Sequence, residues 1–185
     1  MHARITKRAW QVGFPLALVL TSLSVIPAAA GSTPVTVIVV RHAEKIDDSR
    51  DPVLSEAGAE RAQALAEMLE HAGLDAVYAS QYRRTRLTAE PAAEAAGLKV
   101  IVEPIEGDIG AWAQAFSAAL VQAHSGQTVL VAGHSNTVPP LVAALCRCDV
   151  APLEESDYDR LYILNMVDRG SQPRFDLIRA RYGEP

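Results

Sequence analysis

Two histidines and a group of arginines stand out because each follows a short apolar run. Val35-Thr36-Val37-Ile38-Val39-Val40 ends in Arg41-His42, and Val129-Leu130-Val131-Ala132 ends in Gly133-His134-Ser135-Asn136-Thr137. Between them, Val77-Tyr78-Ala79 runs into Ser80-Gln81-Tyr82-Arg83-Arg84-Thr85-Arg86. Three strand ends would then deliver two imidazoles and at least two guanidiniums to the edge where open α/β sheets bind ligands. A hydrolytic metal site needs a third ligand and an orienting shell. Glu44 is near, but no His-x-x-x-His or Cys-His pairing appears. The arginines weigh further against a metal, because cations beside a bound cation cost electrostatic energy whereas cations around a phosphate gain it. The residue types favour a phosphate group, with no metal and no cofactor.

Such groups need a framework to hold them together. Val35 to Val40 is apolar on both faces, as suits the middle of a parallel sheet. Ser55 is a reasonable N-cap for a helix in which Ala62, Leu65, Ala66, Leu69 and Ala72 pack inward while Arg61, Gln63, Glu67 and Glu70 face water. Gly73 ends that helix, Val77–Ala79 is the next strand, residues 82–96 form a helix ended by Gly97, and Lys99 to Glu103 form a third strand. Trp112, Phe116, Ala119, Leu120 and Ala123 recur at helical spacing, which makes the aromatic pair core packing. A further helix begins near Val138-Pro139-Pro140, where prolines suit a first turn. Tyr158 to Val167 and Arg174 to Arg181 read as strands joined by a hairpin-like turn at residues 168–171. The predicted class is α/β: a three-layer sandwich with a mainly parallel central sheet flanked by helices.

Residues 1–30 read differently. Arg4, Lys7 and Arg8 without an acid, an apolar core from Phe14 to Ile26 interrupted by Thr21, Ser22 and Ser24, and Ala28-Ala29-Ala30 describe a secretory signal peptide with cleavage before Gly31. The mature chain, residues 31–185, would be one domain, periplasmic or secreted, with no stable membrane span after processing. Cleavage removes three of 17 Lys+Arg and none of 22 Asp+Glu, leaving 14 against 22 and a formal charge of −8. That excludes an extended nucleic-acid surface and confines Arg83, Arg84 and Arg86 to a local role. His2 would leave with the leader. His71 and His124, near helix ends, read as structural. Cys146-Arg147-Cys148 leaves open two buried thiols, a labile disulfide or bridges to another chain. Two thiols are too few for zinc. Nothing in the residues fixes an oligomeric state.

With these pieces in order, residues 35 to 182 resemble the histidine phosphatase (phosphoglycerate mutase-like) superfamily. The resemblance rests on Arg41-His42-Ala43-Glu44, the Ser80, Arg84, Thr88, Ala89 register and Gly133-His134. Ala43 stands where the family usually has glycine. The resemblance implies that His42 attacks phosphorus and carries the phosphoryl group, while Arg41, Arg84 and His134 bind its oxygens. Register selects Arg84 over Arg83 and Arg86, which are expected on a solvated face. Glu44 is expected to orient the pocket or Lys45. Family logic places the general acid after the third strand, at Glu106, with Asp108 second. The expected function is hydrolysis of phosphomonoesters or a related phosphoryl group on a small phosphorylated substrate. Alternatives are a phosphohistidine or cell-envelope sugar phosphatase and, from another class, a non-catalytic phosphate-binding module.

Overall fold

The computed structural model describes residues 33–167 and 174–184, all within the unit spanning residues 31–185. The leader expected at residues 1–30 and the turn expected at residues 168–171 lie outside the described residues. In chain order the elements are β1 (Thr36–Arg41), α1 (Glu56–Leu69), β2 (Leu74–Ala79), α2 (Arg83–Ala95), β3 (Val100–Val102), α3 (Ile109–Ala123), β4 (Thr128–Gly133), α4 (Val138–Cys146), β5 (Arg160–Val167) and β6 (Arg174–Arg181). They form one six-stranded sheet ordered β3-β2-β4-β1-β5-β6. The first four strands are mutually parallel, whereas β5 pairs antiparallel with β1 and β6 antiparallel with β5. The α/β expectation holds, with a mixed, mostly parallel sheet.

Strand alternation builds the three layers. Along β1, Val37 and Val39 join one buried cluster with Phe116 and Leu120 of α3 and Leu141, Val142 and Leu145 of α4. Ile38 and Val40 point the other way, into a cluster with Leu65, Ala66 and Leu69 of α1 and Ala89, Ala92 and Ala93 of α2. β4 repeats the pattern, with Val129 and Val131 on the first face and Leu130 and Ala132 on the second. Both central strands are apolar on both faces because helices cover both faces.

Two local devices fix the strand ends that matter. Ser55 caps α1, accepting a hydrogen bond from Gly58 N–H at 3.1 Å, and Ser55 N–H donates to the Glu44 carbonyl at 2.9 Å. α1 thereby passes so close to the loop after β1 that a Cβ on Gly58 would enter the space of the Glu44 carbonyl. At the end of β4, a Cβ on Gly133 would meet Thr137 Oγ1 at 2.9 Å and Val138 Cγ2 at 3.1 Å. Glycine there lets α4 begin directly beneath the strand end. Pro139 and Pro140 fall in the first turn of α4, where backbone N–H groups have no intrahelical acceptor. Cys146 and Cys148 form a disulfide across the C-cap of α4, with Arg147 in the left-handed region at φ 53°.

Candidate active site

The parallel register of β1 and β4 pairs Arg41 with Gly133, and His42 N–H continues the ladder to the Gly133 carbonyl at 2.9 Å. His42 and His134 therefore emerge side by side, their ring centroids 5.3 Å apart. Both are buried, as is Arg41 at 1% exposure. Arg84 reaches the same point from the first turn of α2, its Nη2 donating to His134 Nδ1 at 3.3 Å and its Nη1 to the Arg50 carbonyl at 3.3 Å. These four groups line one cleft of about 340 Å³, whose rim includes Lys45, Ser49, Arg50, Tyr82, Asn136 and Glu155. The four residues picked as the phosphate pocket are brought together.

Hydrogen bonding decides the tautomer of each histidine. His42 Nδ1 lies 2.8 Å from the Ala43 carbonyl, which can only accept, so Nδ1 carries the proton and Nε2 keeps its lone pair. His134 Nδ1 faces a guanidinium, which can only donate, so its proton is on Nε2 and goes to Ser80 Oγ at 2.8 Å. Ser80 Oγ passes on to Thr85 Oγ1 at 2.8 Å, and Thr85 Oγ1 donates to the Tyr82 carbonyl at 2.8 Å. A directed chain fixed at both ends thus holds His134. Thr137 Oγ1 accepts from His134 N–H at 2.9 Å, and Thr88 Oγ1 accepts from Ala43 N–H at 2.9 Å, tying both strand ends to helices.

Both imidazoles stay neutral well below pH 7. Burial, reinforced by Arg41 and Arg84, lowers His42 to about 4; burial, with Arg84 and then His42 and Arg41, lowers His134 to about 3. Burial also lowers Arg84. Neutral His42 is the nucleophilic form, and an arriving anion would offset the cationic field around it.

Arg41 is held by the chain segment ahead of β5. Its Nη1 donates to the Glu154 and Glu155 carbonyls at 2.8 and 2.9 Å, and its Nη2 meets Glu155 Oε1 at 3.2 Å. Its Cζ stands 4.2 Å over the Tyr158 ring. Its Nε is buried without a partner. Nε–H and the remaining Nη2–H lie on one edge of the guanidinium, the fork geometry that matches two oxygens of a phosphate.

The other candidates are placed as follows. Glu106 is exposed and does not line the cleft, although its neighbour Ile105 does. Asp108 caps α3, accepting from Ala111 N–H at 2.8 Å. Glu44 does not orient Lys45: it forks onto Arg61, whose other donors hold the Tyr182 and Glu184 carbonyls. Exposed Arg83 and Arg86 line a separate groove with Glu90, Glu94 and Lys99. His124 bridges the Tyr78 hydroxyl and the Gln127 amide, and His71 is exposed beyond α1. Sequence reasoning used Ser80 only as a register mark and passed over Thr137, Glu155 and Tyr158. The acidic pair Glu154-Glu155 carries no local pattern pointing toward Arg41, 113 positions earlier.

Phosphoserine phosphatase 1 of Hydrogenobacter thermophilus is 44% identical over 87 residues, covering 42% of this chain and 41% of that protein, so the match spans under half of the relative's length. Among solved structures, mycobacterial hydrolase 2 superposes with a TM-score of 0.68 at 18% identity, covering 82% of this chain and 93% of that one. The protein histidine phosphatase SixA bound to tungstate gives 0.59 at 21% identity, covering 79% and 96%. At those identities the structures speak for the fold alone. A family profile of the histidine phosphatase superfamily (branch 1) matches residues 37–115, the segment that holds Arg41, His42 and Arg84 at the cleft.

Proposed function

We propose that the chain is a phosphatase that cleaves phosphomonoesters through a phosphohistidine on His42. One observation carries the reading: His42 Nδ1–H is committed to the Ala43 carbonyl, leaving the Nε2 lone pair available in a cleft lined by Arg41 and Arg84. Attack by Nε2 on phosphorus splits hydrolysis into transfer to the enzyme and transfer to water. Arg41, Arg84 and the start of α4 supply fixed donors to oxygens that carry charge throughout the transfer. Arginines in place of acidic ligands make the chemistry metal-independent, so a chelator leaves turnover unchanged. The phosphoserine phosphatase relative supports a small phosphorylated substrate.

A second reading, cleavage of a nitrogen-linked phosphoryl group such as phosphohistidine, draws on the absence of Glu106 from the cleft lining, because such a leaving group needs less acid help. A panel of aryl, alkyl and nitrogen-linked phosphates separates the two readings. A protein that binds phosphate but turns over none of the panel would instead be a binding module. Export belongs to the same proposal and rests on the pattern of residues 1–30. Among the described residues no helix is long and apolar enough to cross a membrane. Intact-mass analysis of exported protein is expected to give an N-terminus at Gly31; membrane-held protein retaining Met1 to Ala30 contradicts export.

A further inference from the structure

Resting on the phosphatase reading, we propose that Glu155 is the proton donor to the leaving oxygen and the base for the attacking water. It is the one carboxylate that lines the cleft among the described residues. Its position suits the role. His42 is buried at the floor, and in-line displacement sends the leaving oxygen away from Nε2, toward the mouth. Glu155 stands at that mouth, its side chain 71% exposed.

Its backbone is fixed while its side chain is free to move. The Glu154 and Glu155 carbonyls are pinned by Arg41 Nη1, and Tyr158 packs over the same guanidinium. The carboxylate itself is held only through Arg41 Nη2 at 3.2 Å and Lys45 Nζ at 3.5 Å. Lys45 has a second partner, Asp48, at 2.6 Å. An arriving phosphoryl group binds the open edge of Arg41, Nε–H and the remaining Nη2–H, and two negative groups then share one guanidinium. A proton held between them is favoured, as for any close pair of anions.

The steps balance. With Glu155 protonated, the His42 Nε2 lone pair forms the N–P bond as the P–O bond breaks. The leaving oxygen keeps that electron pair and takes the Glu155 proton, departing as an alcohol. In the second step Glu155 takes a proton from water as the water oxygen bonds to phosphorus. The N–P bond breaks, its electrons return to Nε2, and phosphate leaves with Glu155 protonated again.

The test is Glu155→Gln in the full chain, which keeps an oxygen acceptor for Arg41 but loses the transferable proton. Turnover of an alkyl phosphate and of p-nitrophenyl phosphate is compared, with Glu106→Gln alongside. Glu155→Gln is expected to lower kcat/KM about 10²–10⁴-fold on the alkyl ester and no more than about threefold on the aryl ester, whose leaving group needs little help. Glu106→Gln is expected to leave both within about threefold. Equal losses on the two esters, no loss on either, or a selective alkyl loss in Glu106→Gln would overturn the role of Glu155 while leaving the phosphohistidine reading standing. A wild-type protein that hydrolyses neither ester and takes no label on His42 overturns both.

Discussion

Ser80→Ala has a cost that can be worked out from the site. Ser80 is buried, and its Oγ accepts from His134 Nε2 at 2.8 Å while contacting Thr85 Oγ1 at 2.8 Å. Alanine removes the oxygen and leaves the Nε2–H of a buried imidazole without an acceptor. An orphaned buried donor costs about 1–3 kcal/mol. For a domain of this size each kcal/mol moves Tm by about 2–4 °C, so thermal unfolding is expected about 2–12 °C lower. The same loss unlocks the His134 ring, whose Nδ1 accepts from Arg84 Nη2 and so holds that guanidinium at the cleft. Misplacing the Arg84 guanidinium in this way is expected to lower kcat/KM about 10–100-fold. Scanning calorimetry and steady-state hydrolysis of an aryl phosphate read the two effects. A variant with Tm within a degree and kcat/KM within twofold of wild type would refute the directed chain from His134 through Ser80 to Thr85.

Three further outcomes follow from the geometry. Arg84→Ala is expected to weaken inorganic phosphate binding and slow both half-reactions, losing charge-assisted bonds worth about 1.5–3 kcal/mol each, as read by calorimetric titration and rapid quench. Arg83→Ala, on the neighbouring groove, should do neither. The NMR signals of His42 and His134 are expected to titrate near pH 4 and 3. Because both values lie below the unfolded value near 6.5, the unfolded chain binds more protons between these limits, so stability is full above about pH 6.5 and falls on acidification. For His42 the loss is about 3 kcal/mol at 1.36 kcal/mol per unit, and added phosphate should reduce it; titration near 6.5 would contradict the burial argument. Gly58→Ala is expected to cost about 1–3 kcal/mol in urea unfolding, because a backbone carbonyl blocks the added methyl.

The sequence revealed the parts whose signals are local. Apolar runs ending in Arg41-His42 and Gly133-His134 marked β1 and β4, and the observed register brings those ends together because both strands are buried on both faces. β2 starts at Leu74, earlier than Val77, since Leu74 pairs with Thr128 and Ala76 with Val129 across a register shift at Asp75 that alternation does not announce. The legible half of the site consists of residues at strand and helix ends. The remainder depends on long-range packing: Glu155 reaches Arg41 from the segment before β5, and Arg61 reaches Glu44 from α1. Glu106 drew attention through its neighbourhood in sequence, yet an exposed position one residue past Ile105 leaves it off the cleft lining.

The central claim is that His42 Nε2 carries the phosphoryl group. Rapid quenching after mixing with ³²P-labelled substrate, followed by peptide mapping, tests it most directly. Acid-labile, base-stable label is expected on the peptide containing His42 in the wild type, unchanged by a chelator and absent from His42→Ala, which folds with native thermal stability to within a few degrees. Label that persists in His42→Ala, or turnover that a chelator abolishes, would contradict a phosphoryl group carried on His42 Nε2.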